Sequence, residues 1–171
     1  MLRALEVRNA VRELDRLPDV DEYVHIVMRM NFPLWSIVPA ILRLAAPATI
    51  EDLAVATLGF NTSNAHDLMA MLDDGRIGRV LFLCSVYFEK ANGREFAFLA
   101  EGLRTRGHRI AAARSHAKVV AVSMSDGRAF VVESSANLRS CRNLEQMTMT
   151  QGRDIYEFHA GWIGELVEAH T

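Results

Sequence analysis

Residues 114–146 read RSHAKVVAVSMSDGRAFVVESSANLRSCRNLEQ, and side chains able to do chemistry recur there at short, ordered intervals. His116 and Lys118 are two apart, so on a strand they share one face while Ala117 turns to the other. The apolar run VVAV that follows suits a buried strand. Ser125-Asp126-Gly127 marks a turn, and the chain returns as RAFVVE to deliver Ser134, Ser135 and Asn137. Antiparallel pairing brings the end of the returning strand beside the start of its partner, which places Ser135 and Asn137 near His116. Glu145 follows shortly after. An imidazole, an ammonium, a hydroxyl, an amide and a carboxylate are thereby expected on one sheet edge.

Such a set suits a phosphoryl group. Lys118 and Asn137 can donate to non-bridging oxygens and stabilise charge that develops during transfer, and Ser135 can add a hydroxyl donor. An imidazole with an ordinary pKa near ~6.5 can attack phosphorus or shuttle a proton, so His116 suits either role. A carboxylate such as Glu145 can hold a histidine in the correct tautomer. No cluster of Asp, Glu and His has metal-site spacing, so metal-independent chemistry without a cofactor is expected. An isolated H-x-K is common by chance, and S-x-N after a strand is usually a turn or a helix cap. The weight lies in the order: H-x-K, a hairpin, S-S-x-N, then N-x-E.

That order resembles one half-site of the phospholipase D superfamily, whose pattern is H-x-K, four residues, Asp, a short strand, Gly-Ser-x-Asn and a later Glu. His116 and Lys118 match its first part, Ser135 and Asn137 the Ser-x-Asn, and Glu145 the last acid. Ser123 stands where the family has Asp, a residue understood there to support the fold more than to touch phosphate, and Ser134 stands in place of the Gly. The resemblance covers roughly residues 50–170. It implies two facing H-x-K motifs, one histidine forming a phosphohistidine and the other protonating the leaving oxygen. This chain has one such motif, since none of its other five histidines has a lysine two residues on. A complete site of that type requires a homodimer about a two-fold axis, with His116 and Lys118 supplied twice. Small single-motif members resemble dimeric nucleases, whereas lipid-cleaving members have longer, two-motif chains. The implied activity is therefore a nuclease-like phosphodiesterase acting on nucleic acid, DNA first. The alternatives are a non-catalytic nucleic-acid-binding protein of the same fold and a phosphatidyltransferase or lipase-like enzyme.

Ser134, Ser85, Arg114 and Arg109 are the candidate substrate-binding residues, with Thr57 and Asn61 on the same sheet edge and Arg104 and Arg106 as further backbone contacts. The charge distribution agrees. Residues 1–101 hold ten basic and fourteen acidic side chains, 102–142 eight and two, and 143–171 one and five. A net charge of −2 thus conceals a basic central segment, the footprint of an anion partner. Seventeen of the nineteen basic residues are Arg, so the two lysines, Lys90 and Lys118, stand out.

The elements must deliver these groups. With 171 residues, 50% hydrophobic and 23% charged, the chain can bury a core without disulfides or metal. Two cysteines, Cys84 and Cys141, are too few for a disulfide scaffold. No apolar run reaches the ~18 residues of a membrane span, and a cytoplasmic protein is expected. Residues 1–16, 21–31 and 34–44 read as helices. Then come a strand at Leu53–Phe60, a helix over 62–74 opened by Asn61-Thr62-Ser63, a strand at Arg79–Phe88 and a helix over 90–106. Strands at Arg109–Ala113, Ala117–Ser123, Arg128–Glu133 and 145–150 precede a closing helix over 153–168. The expected fold is α/β, a mixed sheet sandwiched by helices (residues 50–171), with a helical N-terminal extension (1–49). Trp35 and Trp162 are expected in the core or an interface, Cys84 in a buried strand and Cys141 in a loop.

Overall fold

The computed structural model describes residues 2–139 and 143–171, so Cys141 lies outside the described residues. Continuous aliphatic stretches form the inner strands β2 (Ile50–Thr57), β3 (Ile77–Ser85), β4 (Arg109–Ala113), β5 (Val119–Met124) and β6 (Ala129–Ser134). With β1 (Tyr23–Met28) and β7 (Glu145–Gln151) they make a seven-stranded mixed sheet in the order β1-β7-β6-β5-β2-β3-β4. β2, β3 and β4 run parallel, and every other pairing is antiparallel. The β5–β6 hairpin closes as the turn signal predicts. Gly127 takes φ +88° and its N–H donates to the Met124 carbonyl at 3.0 Å, a left-handed backbone that a Cβ would strain.

Helices cover both faces. On one, α6 (Arg153–Ala169) lies across β2 to β6, and Tyr156, Ile163 and Val167 pack on Ala54, Ala56, Ala111, Ala113, Ala121 and Ala129. Six alanines let one helix approach this face closely. The other face is covered by α1 (Leu2–Leu14), a 3-10 turn (Leu34–Ser36), α2 (Ile37–Leu44), α3 (Thr62–Asp73), α4 (Val86–Ala91) and α5 (Gly93–Arg104). Trp35 is buried there, and its Nε1 donates to Asp67 at 3.3 Å. Trp162 is half-buried on α6. Among the described residues no helix is long and apolar enough to cross a membrane. The fold is α/β, a mixed sheet between helices, as expected.

The strand expected at Leu53–Phe60 lies three residues earlier, as β2, and three further elements differ from expectation. Residues 21–31, expected as a helix, contain β1, which pairs with β7 from Tyr23–Thr150 to Met28–Glu145. Its burial has period two, with Ile26 and Met28 inward and Tyr23, His25 and Val27 outward. The segment expected as a wholly helical extension therefore adds an edge strand to the same sheet. The strand expected to reach Phe88 stops at Ser85, whose Oγ accepts from the Tyr87 N–H at 3.3 Å and caps α4. The helix expected over 90–106 is divided between α4 and α5 at Asn92.

Candidate active site

Strand direction decides which residues meet. β2, β3 and β4 end at one edge, β5 and β7 begin there, and β6 ends there, as the register pairs Ala56–Val119, Val119–Glu133, Ser134–Met147 and Ser85–Ala113 require. Open α/β sheets place ligands at this carboxyl edge of their parallel strands.

His116 sits on the segment between β4 and β5 and is exposed; its ring meets Tyr87 edge-on, with centroids 6.0 Å apart at 78°. Lys118 is half-buried, and its Nζ donates to the His116 carbonyl at 2.8 Å. Its own carbonyl accepts from the Ser134 N–H at 3.0 Å, which ties the H-x-K segment to the end of β6. Ser134 Oγ donates to the Gln146 carbonyl at 2.6 Å and accepts from the Ala136 N–H at 2.9 Å. Ser135 Oγ donates to the Glu145 carboxylate and accepts from the Gln146 N–H at 3.0 Å. Asn137 is half-buried, and its Oδ1 has no hydrogen-bond partner among the described residues. His116, Lys118, Ser134, Ser135, Asn137 and Glu145 thus lie along one edge, and hydrogen bonds join Lys118 to Ser134 and Ser135 to Glu145.

The remaining expected residues are placed as follows. The Glu145 carboxylate accepts from Ser135 Oγ within the chain. Ser85 is fully buried and caps a helix. Thr57 is buried, with Oγ1 donating to the Gly59 carbonyl at 3.0 Å, and Asn61 caps α3, accepting from the Asn64 N–H at 2.9 Å. Arg109 begins β4, at the end of the sheet remote from His116, and pairs with Glu168 at 2.7 Å. Arg106 is held by Asp73 at 2.7 Å, and Arg104 closes α5 at that same remote end. Arg114, by contrast, follows β4 directly and is exposed beside the H-x-K segment. Ser123 also lies at the remote end. It is buried and accepts from Arg153 Nη1 at 3.0 Å, while Arg153 Nη2 reaches the Gly127 carbonyl at 2.9 Å. The hydroxyl in the family's Asp slot therefore pins the first residue of α6 to the β5–β6 hairpin.

Tyr87 is the residue that sequence reasoning missed. A strand drawn through Phe88 makes it one more alternating side chain, whereas the strand-to-helix switch at Ser85 turns it out against His116. Burial pushes the Cys84 thiol up to about 12, which makes it an inert core residue. Among the described residues no group of three or more His, Cys, Asp or Glu could hold a metal ion.

No family model matches the chain, and no curated protein matches it in sequence. Solved structures do match. Polyphosphate kinase from Porphyromonas gingivalis aligns with a TM-score of 0.62 at 15% identity, over 94% of this chain and 29% of that one. Nuc from Salmonella typhimurium, a phospholipase D family member, aligns at 0.56 and 14%, over 84% of this chain and 93% of that one. TrmBL2, an archaeal chromatin protein with a novel mode of DNA binding, aligns at 0.53 and 12%, over 88% and 55%. The chain thus spans less than a third of the kinase and nearly all of the length of Nuc. The mixed sheet between helices is thus a fold shared with these proteins, and in this chain it sets His116 and Lys118 at the carboxyl edge.

Proposed function

We propose that this chain is a metal-independent phosphodiesterase that cleaves nucleic acid as a homodimer, through a covalent intermediate on His116. The observation that carries the reading is an exposed His116 whose backbone carbonyl accepts from the half-buried Lys118 ammonium at the carboxyl edge, in a chain with a single H-x-K. Lys118 would neutralise non-bridging oxygens, and the Asn137 amide would add a further donor. A neutral ring nitrogen of His116 attacks phosphorus. The bond to the leaving nucleoside oxygen breaks, and that oxygen takes a proton from the imidazolium of the partner's His116. Water then attacks phosphorus, gives its proton to the now neutral ring of the partner's His116, and the P–N bond breaks to free His116. DNA binding by TrmBL2 on the same fold, together with exposed Arg114 beside the H-x-K segment, supports nucleic acid as the substrate.

The test is cleavage of single- and double-stranded DNA, a chromogenic diester and phospholipid vesicles in excess EDTA, with His116→Ala beside the wild type. Cleavage of DNA and diester that survives EDTA and falls to background in the variant is the expected result. The His116 ring is exposed, so the substitution leaves the core intact. Turnover of vesicles alone would transfer the site to lipid chemistry. Binding without turnover is a second reading, favoured by one feature: Ser135 and Glu145 hold each other, and neither holds His116. Its signature is salt-sensitive DNA affinity from a well-folded dimer that cleaves nothing.

A further inference from the structure

Short helix α4 presents two exposed side chains that the proposed chemistry does not use. Tyr87 is 59% exposed, and its ring meets that of His116 in a T-shaped contact. Lys90, one of the two lysines of the chain, is exposed three residues further along the same helix. Side chains three apart on a helix are neighbours, with Cβ atoms about 5–6 Å apart. Phe88, between them in sequence, turns inward and packs on Phe60, with centroids 4.7 Å apart. That packing fixes the helix rotation and keeps Tyr87 and Lys90 on the solvent side. Ser85 and its cap fix where the helix starts. An aromatic face beside the reacting imidazole, followed by a cation, is the arrangement that single-stranded nucleic acid takes: stack on a base, then hold the next phosphate.

We propose that Tyr87 and Lys90 form a subsite for the nucleotide adjoining the scissile phosphate, with the Tyr87 ring stacked on its base and the Lys90 ammonium on its next phosphate. The substrate class is then a nucleic acid strand with at least one unpaired base, at a single-stranded region or a frayed end. An inorganic phosphate chain offers nothing for Tyr87 to stack on, and a paired base has its faces already occupied. The inference rests on the nucleic-acid reading above.

Fluorescence anisotropy tests it on the full chain with labelled oligothymidylate, phosphorothioate-linked to resist cleavage, and with an abasic strand of the same phosphate count. Wild type is expected to prefer the strand with bases. Tyr87→Ala should lose that preference, weakening oligothymidylate binding roughly 5- to 150-fold while abasic binding stays level, and Tyr87→Phe should keep it. Lys90→Ala should weaken both probes alike and reduce the salt slope by about 0.7. Equal wild-type binding of the two strands, an unchanged ratio in Tyr87→Ala, or a change in the sedimentation mass of that variant would overturn the stacking role. An unchanged salt slope in Lys90→Ala would overturn the phosphate role. Chromogenic-diester cleavage by the wild type is measured in parallel. Cleavage without base preference sinks the subsite alone, and base preference without cleavage sinks the enzyme reading alone.

Discussion

His159 lies on the sheet-facing side of α6, where Trp162 Nε1 donates to its Nδ1 at 3.1 Å and Glu133 Oε1 stands 3.6 Å from its Nε2. Burial holds its pKa below the usual imidazole value, and the exposed Glu133 pulls the other way with less effect. His108 is also pushed down, by burial and then by Arg106. In the unfolded chain both take up a proton near ~6.5. Over the interval between the depressed folded values and ~6.5, the unfolded state binds more protons, so stability falls as pH falls. We expect Tm to hold above about pH 6.5 and to drop as pH falls below it. His159→Asn keeps an acceptor for Trp162 and should flatten the drop, leaving the part due to His108. An equally steep profile in the variant would remove His159 as a source. At this scale the sequence was informative where a motif is local. His116, Lys118, Ser135, Asn137 and Glu145 lie within thirty residues; the hairpin gathers the first four and β7 brings Glu145. Partner choice was not legible, because Glu145 meeting Ser135 and not His116 depends on how β6 meets β7.

Between elements, the decisive information is which end of a strand a residue occupies. Arg109 and Arg114 are five apart and equally basic, yet β4 separates them, so one pairs with α6 and the other flanks the H-x-K segment. Composition gives no means of telling them apart; strand polarity does. The same reasoning explains the misread N-terminus. Alternation in YVHIVM was the available signal for β1, but its surroundings are helical, and its partner β7 lies more than a hundred residues away. The inner strands were readable because unbroken aliphatic runs with turn signals between them have few other readings. The β2–β3 pairing itself sets a sharp steric test at Gly78. A Cβ there would stand 2.7 Å from the Glu51 carbonyl oxygen, a backbone atom that can yield only if β2 shifts. Gly78→Ala should therefore cost about 1–3 kcal/mol in denaturant unfolding. Gly93→Ala, where a Cβ meets nothing within 4 Å, serves as the control and should stay within about 0.5 kcal/mol. Equal stability of the two variants would mean that β2 and β3 sit further apart than their register implies.

At the scale of the whole molecule, the chain carries one H-x-K, whereas the mechanism proposed above uses two. The edge that bears this pair also exposes large apolar side chains, with Tyr87 at 59%, Met30 beyond the end of β1 at 65% and Leu144 ahead of β7 at 70%. Apolar groups left in water around a polar site favour coverage by another surface. Two-fold apposition would bring the same edge of a second copy onto it, so that each copy supplies what the other lacks. A shared site and two independent sites differ in how activity dilutes. If wild-type and His116→Ala chains are unfolded together, refolded and allowed to pair at random, a shared site works only in wild-type homodimers. Activity then follows the square of the wild-type fraction, and an equal mixture retains about a quarter of the undiluted rate. Independent sites give a straight line and about a half. The comparison needs no knowledge of the natural substrate, since the chromogenic diester reports it. Curvature toward the square would place both histidines in one site. A straight line from a population that sediments as dimer would mean that each His116 works without its counterpart, with the leaving oxygen protonated from within a single chain.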